Sequence, residues 1–291
     1  MGTPLAERDF AGLFALKDIT AATGAVVIPT SLVRPRNPIN NSYLPTANKS
    51  SFPSAKVLGK RRPSLTVSAH AKASWFTADL LNRLIMTLAT DSNGDLNTDV
   101  FACGLYQATA NSWRVFDGCK CSQIDISQEL SGPISVVMSF PAIQDSSDTI
   151  SLPATPTAFS ISALNSDPGL AIPVSSTSWG GTATQVKSWR LSLVRGQAVQ
   201  DSQNGTSFAD GIASGMFSGV FTLEQSATAD IIPTTSVAFQ IGPASTGVKF
   251  TLNLSEDDYT IEKGTGFAMQ STTWSLFNVA GGNPCTIAVG V

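Results

Sequence analysis

Few residues in this chain of 291 residues have types and spacings suited to catalysis. His70 is the single histidine, so a Ser-His-Asp or Cys-His mechanism would have to use it. It follows a predicted strand between Ala69 and Ala71, with no nucleophile motif around it. The sequence also lacks a nucleotide-binding loop, a serine-hydrolase elbow and a paired-histidine zinc motif. These features predict that the chain is not an enzyme and that His70 is structural.

The candidates for metal or redox chemistry are equally sparse. The cysteines are too few and too irregularly spaced for a disulfide framework or a four-ligand zinc site: Cys103, Cys119, Cys121 and Cys285. We expect reduced thiols that pack in the interior. The acidic run at residues 256–258 lacks the spaced ligands of a calcium loop. The sequence therefore predicts no metal and no cofactor.

The composition favours a protein that buries much of its surface against copies of itself. Charged residues make up 13% of the chain, about half of the roughly 25% found in ordinary soluble domains. The formal net charge is −3, so the broad basic surface that grips nucleic acid is absent and tight DNA binding is not expected. No apolar run resembles a secretory signal or reaches the ~20 residues of a membrane span. We expect a soluble protein made in the cytoplasm.

Hydrophobic patterning divides the chain into three parts. Residues 1–33 contain a lead and a first predicted strand, which Pro29 ends. Residues 34–63 are rich in proline, asparagine and basic residues, and a segment of this length without structure is uncommon inside a compact domain unless it is functional or disordered. We predict that it is an extended arm that reaches outside its own fold, with a plain disordered loop as the alternative. Residues 64–291 are expected to form the main β domain.

One principal helix is predicted over residues 77–89. Thr77 provides a side-chain oxygen that suits a helix N-cap, and apolar residues follow it at helical spacing. Beyond this helix the chain alternates apolar and polar residues between glycine-containing turns. The predicted fold class is therefore mainly β, with one principal flanking α-helix.

Two hairpin-like stretches look like an internal repeat. The first covers residues 122–130 and 134–140, and the second covers residues 186–194 and 216–224. Because strand side chains alternate between faces, each hairpin has an apolar face and a face of small polar and acidic residues. Ser135 and Ser139 belong to the polar face of the first hairpin. This face is either the solvent side of an antiparallel sheet or the wall of a wet channel.

The second hairpin resembles the tail tube proteins of long-tailed bacteriophages, the siphophages. The resemblance rests on Lys187-Ser-Trp-Arg-Leu-Ser-Leu-Val-Arg195 and on Phe208-Ala-Asp-Gly-Ile-Ala-Ser-Gly-Met-Phe-Ser-Gly-Val-Phe-Thr-Leu223. A strand ending in arginine, a Gly-Ile-x-x-Gly approach and a return strand with Ser-Gly-x-Phe-Thr look like that family's inner-wall hairpin. The order of the preceding segments agrees: a lead, a long loop, Val57-Leu-Gly-Lys-Arg-Arg62, and a helix opening with Thr77-Ala-Asp-Leu-Leu81.

This resemblance implies a tail-tube-type β-barrel or sandwich whose subunits form stacked hexameric rings around a lumen through which DNA is ejected. The implied partners are further copies of the chain, the tape-measure protein, and the tail terminator and distal tail proteins. DNA would pass without specific binding, and the protein would end in the virion tail. The implied lumen-lining residues are Gln123, Asp125, Ser127, Glu129, Ser188, Arg190, Ser192, Ser218, Thr222 and Glu224. The implied inter-ring contacts are Arg34, Arg36, Tyr43, Lys49, Phe52, Lys56, Lys60, Arg61 and Arg62.

Other interpretations remain open from the sequence. The chain is long for this family, so the region of residues 145–180 is either an insertion or part of a second copy of the fold. A different virion or surface structural β protein, such as a capsid decoration protein or a tail fibre domain, is one alternative, and trimers or capsid binding would distinguish it. A secreted carbohydrate-active or adhesive domain is a further alternative, although the sequence has neither a signal peptide nor an aromatic platform for sugars.

Overall fold

The structure is a computed structural model. It describes residues 10–18, 25–36, 42–44, 55–57, 60–85, 100–107, 112–129, 132–146, 167, 169–172, 186–200, 211–226, 236–263, 268–277 and 283–290. Over these residues the protein is mainly β, with one helix and a large antiparallel sheet, which confirms the predicted class.

The first half of the described chain contains β1 (Phe10–Asp18), β2 (Val26–Arg36), β3 (Ser42–Leu44), β4 (Ala55–Val57), β5 (Ser64–His70), α1 (Ala78–Ile85), β6 (Phe101–Gln107), β7 (Ser112–Cys119), β8 (Gln123–Glu129), β9 (Ser135–Pro141) and β10 (Gln144–Ser146). The second half contains β11 (Val186–Gln200), β12 (Gly211–Ser226), β13 (Ser236–Ile241), β14 (Val248–Lys263), β15 (Ala268–Leu276) and β16 (Cys285–Val289).

The central sheet consists of strands in the order β2-β5-β9-β8-β11-β12-β15-β14. Neighbouring strands are antiparallel throughout. Both predicted hairpins are confirmed, because β8 pairs with β9 and β11 pairs with β12. The strand β8 also pairs with β11, with Ile126 opposite Leu191, so the two hairpins lie side by side.

One face of the central sheet is buried and the other is not. In β5, β8 and β9 the burial alternates residue by residue, as expected when successive side chains point to opposite faces. Ile124, Ile126, Val136, Met138 and Phe140 are fully buried. Each such side chain stabilises the fold by about 1.5–3 kcal/mol relative to an exposed one.

Two groups of flanking strands pack over the buried face. One group contains β1, β6, β7 and β10, and the other contains β13, β16 and the first part of β14. The ring of Phe14 in β1 lies 5.8 Å from that of Phe140 in β9. In the second group, the ring centre of Phe239 in β13 lies 5.1 Å from that of Trp189 and 6.0 Å from that of Phe221. The core is thus a layer between the central sheet and the flanking strands.

The helix α1 begins as predicted, because the backbone N–H of Leu80 donates to Thr77 Oγ1 at 3.3 Å. It ends at Ile85 in the structure, and residues 86–89 of the predicted helix lie outside the described residues. Arg83 forms an ion pair with the buried Asp18 of β1 at 3.0 Å, and this hydrogen bond raises the pKa of Arg83. Asn82 Nδ2 donates to the Ile287 carbonyl of β16. The helix therefore links the two groups of flanking strands.

Arg195 is a charged residue inside the fold, with only 2% of its surface exposed. Its Nε donates to the Ile85 carbonyl at 3.1 Å, and its guanidinium lies 5.9 Å from the ring centre of Phe217. A cation is favourable beside the carbonyls at a helix C-terminus. Arg195, which lies within β11 rather than at its end, thus joins β11 to α1.

The same strand topology occurs twice along the chain. The first copy contains β2 and β5 to β10, and the second contains β11 to β16. In each copy, two strands pair in the central sheet (β2 with β5, β11 with β12), and a flanking hairpin follows (β6 with β7, β13 with the first part of β14). The chain then enters the central sheet (β8, the second part of β14), pairs with the next strand (β9, β15), and returns to the flank (β10, β16).

Within each copy the four central strands therefore lie in the order first, second, fourth, third. One four-stranded order is therefore repeated along the chain. It corrects the repeat predicted from the sequence: the β8–β9 hairpin corresponds to β14–β15, and the β11–β12 hairpin corresponds to β2–β5. The predicted repeat joined hairpins that occupy different positions in the two copies, because both alternate in the same way.

Residues 169–172 connect the two copies. The N–H of Leu170 donates to the Ala71 carbonyl after β5 at 2.9 Å, and the N–H of Gly242 after β13 donates to the Ala171 carbonyl at 2.8 Å. Within the region of residues 145–180, the structure describes only residues 145–146, 167 and 169–172.

The predicted arm needs a corrected boundary. Arg34 and Arg36 belong to β2 and lie opposite Thr66 and Ser64 of β5. The prediction that Pro29 ends the first strand is wrong, because β2 continues through Pro29 and Pro35 to Arg36. Proline is tolerated in a strand with one unpaired side. Further along, β3 and β4 pair with each other, so the segment contains a small two-stranded sheet.

Candidate functional site

The candidate site is the polar face of the central sheet, formed by alternate side chains of its strands. All the predicted lumen-lining residues lie on this face in β8, β11 and β12. The registers arrange them, with two valines, in four cross-strand rows: Gln123, Val194 and Ser218; Asp125, Ser192 and Val220; Ser127, Arg190 and Thr222; Glu129, Ser188 and Glu224.

The predicted separation of the two faces is confirmed. None of the residues in these rows is buried, whereas Ile124, Ile126, Leu191 and Phe221 on the opposite face are fully buried. Because successive side chains of one strand point to opposite faces, the same strands carry the packed interior on one face and the polar surface on the other. That this surface lines a lumen stays a prediction.

The polar face is wider than the sequence predicted. On one side it continues through Ser135 and Ser139 of β9 to Thr66 and Ser68 of β5, which lie opposite Ser139 and Val137. On the other side it continues through β15, whose members are Ser271, Thr273 and Ser275. Small hydroxyl side chains therefore predominate across neighbouring strands of both copies.

The strand β15 was missed for a physical reason. Its buried face carries Gln270 and Thr272, so the apolar and polar alternation is broken. These two buried polar side chains form a hydrogen bond with each other, in which Gln270 Nε2 donates to Thr272 Oγ1 at 3.2 Å. The alternation of serine and threonine at positions 271, 273 and 275 is the signal that would have identified this strand.

The charged residues of the polar face make contacts with one another. Arg190 pairs with Asp125 at 3.2 Å, and Gln123 Nε2 donates to the same carboxylate oxygen of Asp125 at 2.8 Å. On the neighbouring row, the Ser188 hydroxyl donates to Glu224 at 2.8 Å. Arg190 is the cation among the predicted lumen residues, and a carboxylate already lies beside it. The face therefore offers a polyanion few uncompensated positive charges.

The predicted inter-ring residues divide into four groups. Arg34 and Arg36 are exposed on β2, at the border of the polar face. Lys60 is half-buried while Arg61 and Arg62 are exposed just before β5. Tyr43 and Lys56 lie opposite each other in the sheet of β3 and β4, and Lys49 and Phe52 lie outside the described residues.

The residues considered for catalysis or metal binding are His70 and the four cysteines. His70 is exposed at the end of β5, and its carbonyl accepts a hydrogen bond from the indole of Trp75 at 3.1 Å. All four cysteines are buried free thiols. Burial raises the pKa of Cys121 and Cys285 to about 12 and that of Cys103 well above its ordinary value. In the described part of the chain, no group of three potential ligands is placed to hold a metal ion.

None of the helical segments that the structure describes has the length and apolar character needed to cross a membrane. Comparison of the sequence with protein-family models and with curated proteins gave no match.

Proposed function

We propose that this chain is a structural subunit of a bacteriophage tail tube, and that it has no enzymatic activity. The observation that supports this proposal best is the polar face. It combines a broad antiparallel sheet, small hydroxyl side chains and few uncompensated charges, over a continuous apolar core. A wall along which a polyanion slides without binding needs these properties.

The proposed mechanism is passive. DNA binding proteins hold the phosphate backbone with lysine and arginine, and each such contact releases counterions. On the polar face, Arg190 is compensated by Asp125, and Glu129 and Glu224 add negative charge. A duplex inside such a lumen would be repelled weakly and would find few uncompensated cations on β8, β11 and β12, so it would slide during ejection.

The proposed assembly follows the resemblance. Rings of the chain stack into a tube, which encloses the tape-measure protein until ejection and ends at the tail terminator and distal tail proteins. The subunit is made in the cytoplasm of the host bacterium and becomes part of the virion tail. Because Arg34 and Arg36 belong to β2, contacts between rings would involve the rest of the predicted arm, from β3 to Arg62.

Negative-stain electron microscopy of the purified full chain, concentrated at two salt levels, tests this proposal. We expect hollow filaments, or rings with an open centre. Compact particles without a lumen that bind capsids would favour a decoration protein instead. Failure to extend short tubes added as seeds would contradict the tube proposal, because seeding removes the need for an initiator.

A further inference from the structure

The two arginines of β2 lie on the polar face. Arg34 is opposite Thr66 and Arg36 is opposite Ser64, and these two partners alternate with the buried Leu65 of β5. Directly opposite residues of an antiparallel pair project from the same face, so both arginines share the face of the hydroxyl side chains. Both are exposed. The polar face thus has two cations that the sequence assigned to an arm outside the sheet.

Within the part of the chain that the structure describes, no carboxylate forms an ion pair with either arginine. The cross-strand row that starts at Arg34 continues with neutral residues: Thr66, Ser139, Gln123, Val194 and Ser218. The carboxylates of the polar face lie in rows further along the strands: Asp125, Glu129, Glu224 and Asp258. Arg61 and Arg62 are exposed just before β5 and add positive charge at the same end. This corner of the face therefore attracts anions, although the net charge of the chain is −3.

The arrangement of the two arginines suits a row of phosphates. Residues i and i+2 of a strand are about 6.6 Å apart, so the two long side chains start side by side. A guanidinium stays charged and can donate two parallel hydrogen bonds to the oxygens of one phosphate. The hydroxyls of Thr66 and Ser64, each directly opposite one arginine, are further donors of the kind that contact phosphate backbones. Two neighbouring phosphates can therefore be held at once, one at each arginine.

We infer that Arg34 and Arg36, with the hydroxyls of Thr66 and Ser64, form a phosphate-binding site whose ligand is the sugar-phosphate backbone of nucleic acid. We call it the arginine site. The inference rests on the proposed function, in which the polar face meets DNA. Contacts to phosphate carry no sequence information, so the binding is independent of sequence. With two phosphates per chain the contact is weak and exchanges readily, so a duplex is attracted to the β2 border and still passes along the wall.

Co-sedimentation of a short fluorescent duplex with assembled tubes, over a salt series, tests the site in the tube. The variant is Arg34→Gln with Arg36→Gln, which removes two positive charges and keeps long polar side chains. Each lost phosphate contact should lower the slope of log K against log salt by about 0.9, and both together by about 1.8 per engaged chain. We expect release of the duplex to move from about 50 mM salt to below about 20 mM.

Lys187→Gln with Lys249→Gln is the matched control, because it makes the same charge change away from the polar face. Lys187 is exposed and alternates with Ser188 on β11, and Lys249 is exposed on the flanking part of β14. An equal loss of retention in both double variants would reflect net charge alone and would overturn the inference. Unchanged retention in the arginine variant, with tubes intact in electron microscopy, would overturn it too and leave the proposed function standing.

A titration of the unassembled full chain separates a failure of the site from a failure of the proposed function. The side-chain Nε–H signals of the arginines are followed by NMR at low salt while the duplex is added. The signals of Arg34 and Arg36 should shift, whereas that of Arg190, which is paired with Asp125, should not. Shifts without any tube formation would support the arginine site and contradict the proposed function. Absence of shifts would overturn the site whether or not tubes form.

Two further ligands identify the chemistry that the site prefers. Inorganic phosphate should shift the same signals only at concentrations at least tenfold higher than duplex phosphate, because one phosphate cannot engage both arginines. An oligoglutamate peptide of the same charge should also bind at least tenfold more weakly than the duplex. Equal binding of either ligand would contradict the assignment to a nucleic-acid backbone.

Discussion

The substitution Asp125→Asn would leave Arg190 without its carboxylate partner while keeping the size of the side chain. The two groups lie 3.2 Å apart on the polar face, and Gln123 also donates to this carboxylate. Arg190 leaves 59% of its side chain exposed and Asp125 leaves 16%. Because Arg190 is mostly solvated whereas Asp125 is partly buried, the loss of the pair should lower the free energy of unfolding by about 1 kcal/mol. The fold should therefore survive.

The effect on DNA should be much larger than the effect on stability. Every chain in a tube would present one uncompensated guanidinium to the lumen. Each phosphate neutralised by such a cation contributes about −0.9 to the slope of log K against log salt, so a few contacts make retention steeply salt-dependent. We expect tubes of the unmodified chain to release a short fluorescent duplex at about 50 mM salt, and Asp125→Asn tubes to retain it until about 200 mM salt.

The assay is co-sedimentation of the duplex with assembled tubes over a salt series. Asp79→Asn is the matched control, because it makes the same charge change and removes an ion pair with Arg83 on α1, away from the polar face. Equal retention by the two variants, or retention that does not respond to salt, would refute the idea that the polar face meets DNA.

Two further predictions concern stability. Gly219→Ala should lower the free energy of unfolding by about 1–3 kcal/mol, because the added Cβ would clash with the Leu276 side chain and lie 3.1 Å from the Ser192 carbonyl. Urea unfolding measures this change. Gly169→Ala is the control, because a Cβ added there has no neighbour within 4 Å. The buried thiols should make the fold sensitive to alkali: with the folded-state pKa of Cys121 and Cys285 raised to about 12, their contribution is full below pH ~8.5 and falls by about 1.4 kcal/mol per pH unit per thiol between there and pH ~12. Thermal unfolding from pH 8 to 11 tests this, and a decline that is no shallower in Cys285→Ala would contradict it.

Local patterns in the sequence were sufficient to predict the hairpins of β8 with β9 and of β11 with β12, because their alternation is unbroken and their partners are near in the chain. The start of α1 was predictable from Thr77 for the same reason. The polar face could be predicted only in part. The pairing of β5 with β9 and of β12 with β15 depends on contacts distant in sequence, which alternation does not specify.

From the sequence, a second copy of the fold was one of two alternatives, and its strands could not be assigned because the elements differ between the copies. Strand β7 and strand β8 are separate elements in the first copy, whereas their counterparts form the single strand β14 in the second. The burial of Arg195 was also unpredictable, since its hydrogen-bond acceptor is the carbonyl of Ile85, 110 positions earlier in the chain.

The link through residues 169–172 affects how the molecule unfolds. The two copies are not independent folding units, because this segment forms hydrogen bonds to both, and because one apolar cluster contains side chains from each copy. Opening either copy would expose the inner surface of the other. The chain should therefore melt in one cooperative transition, and a protease cut between the copies would leave the two pieces associated until denaturant separates them.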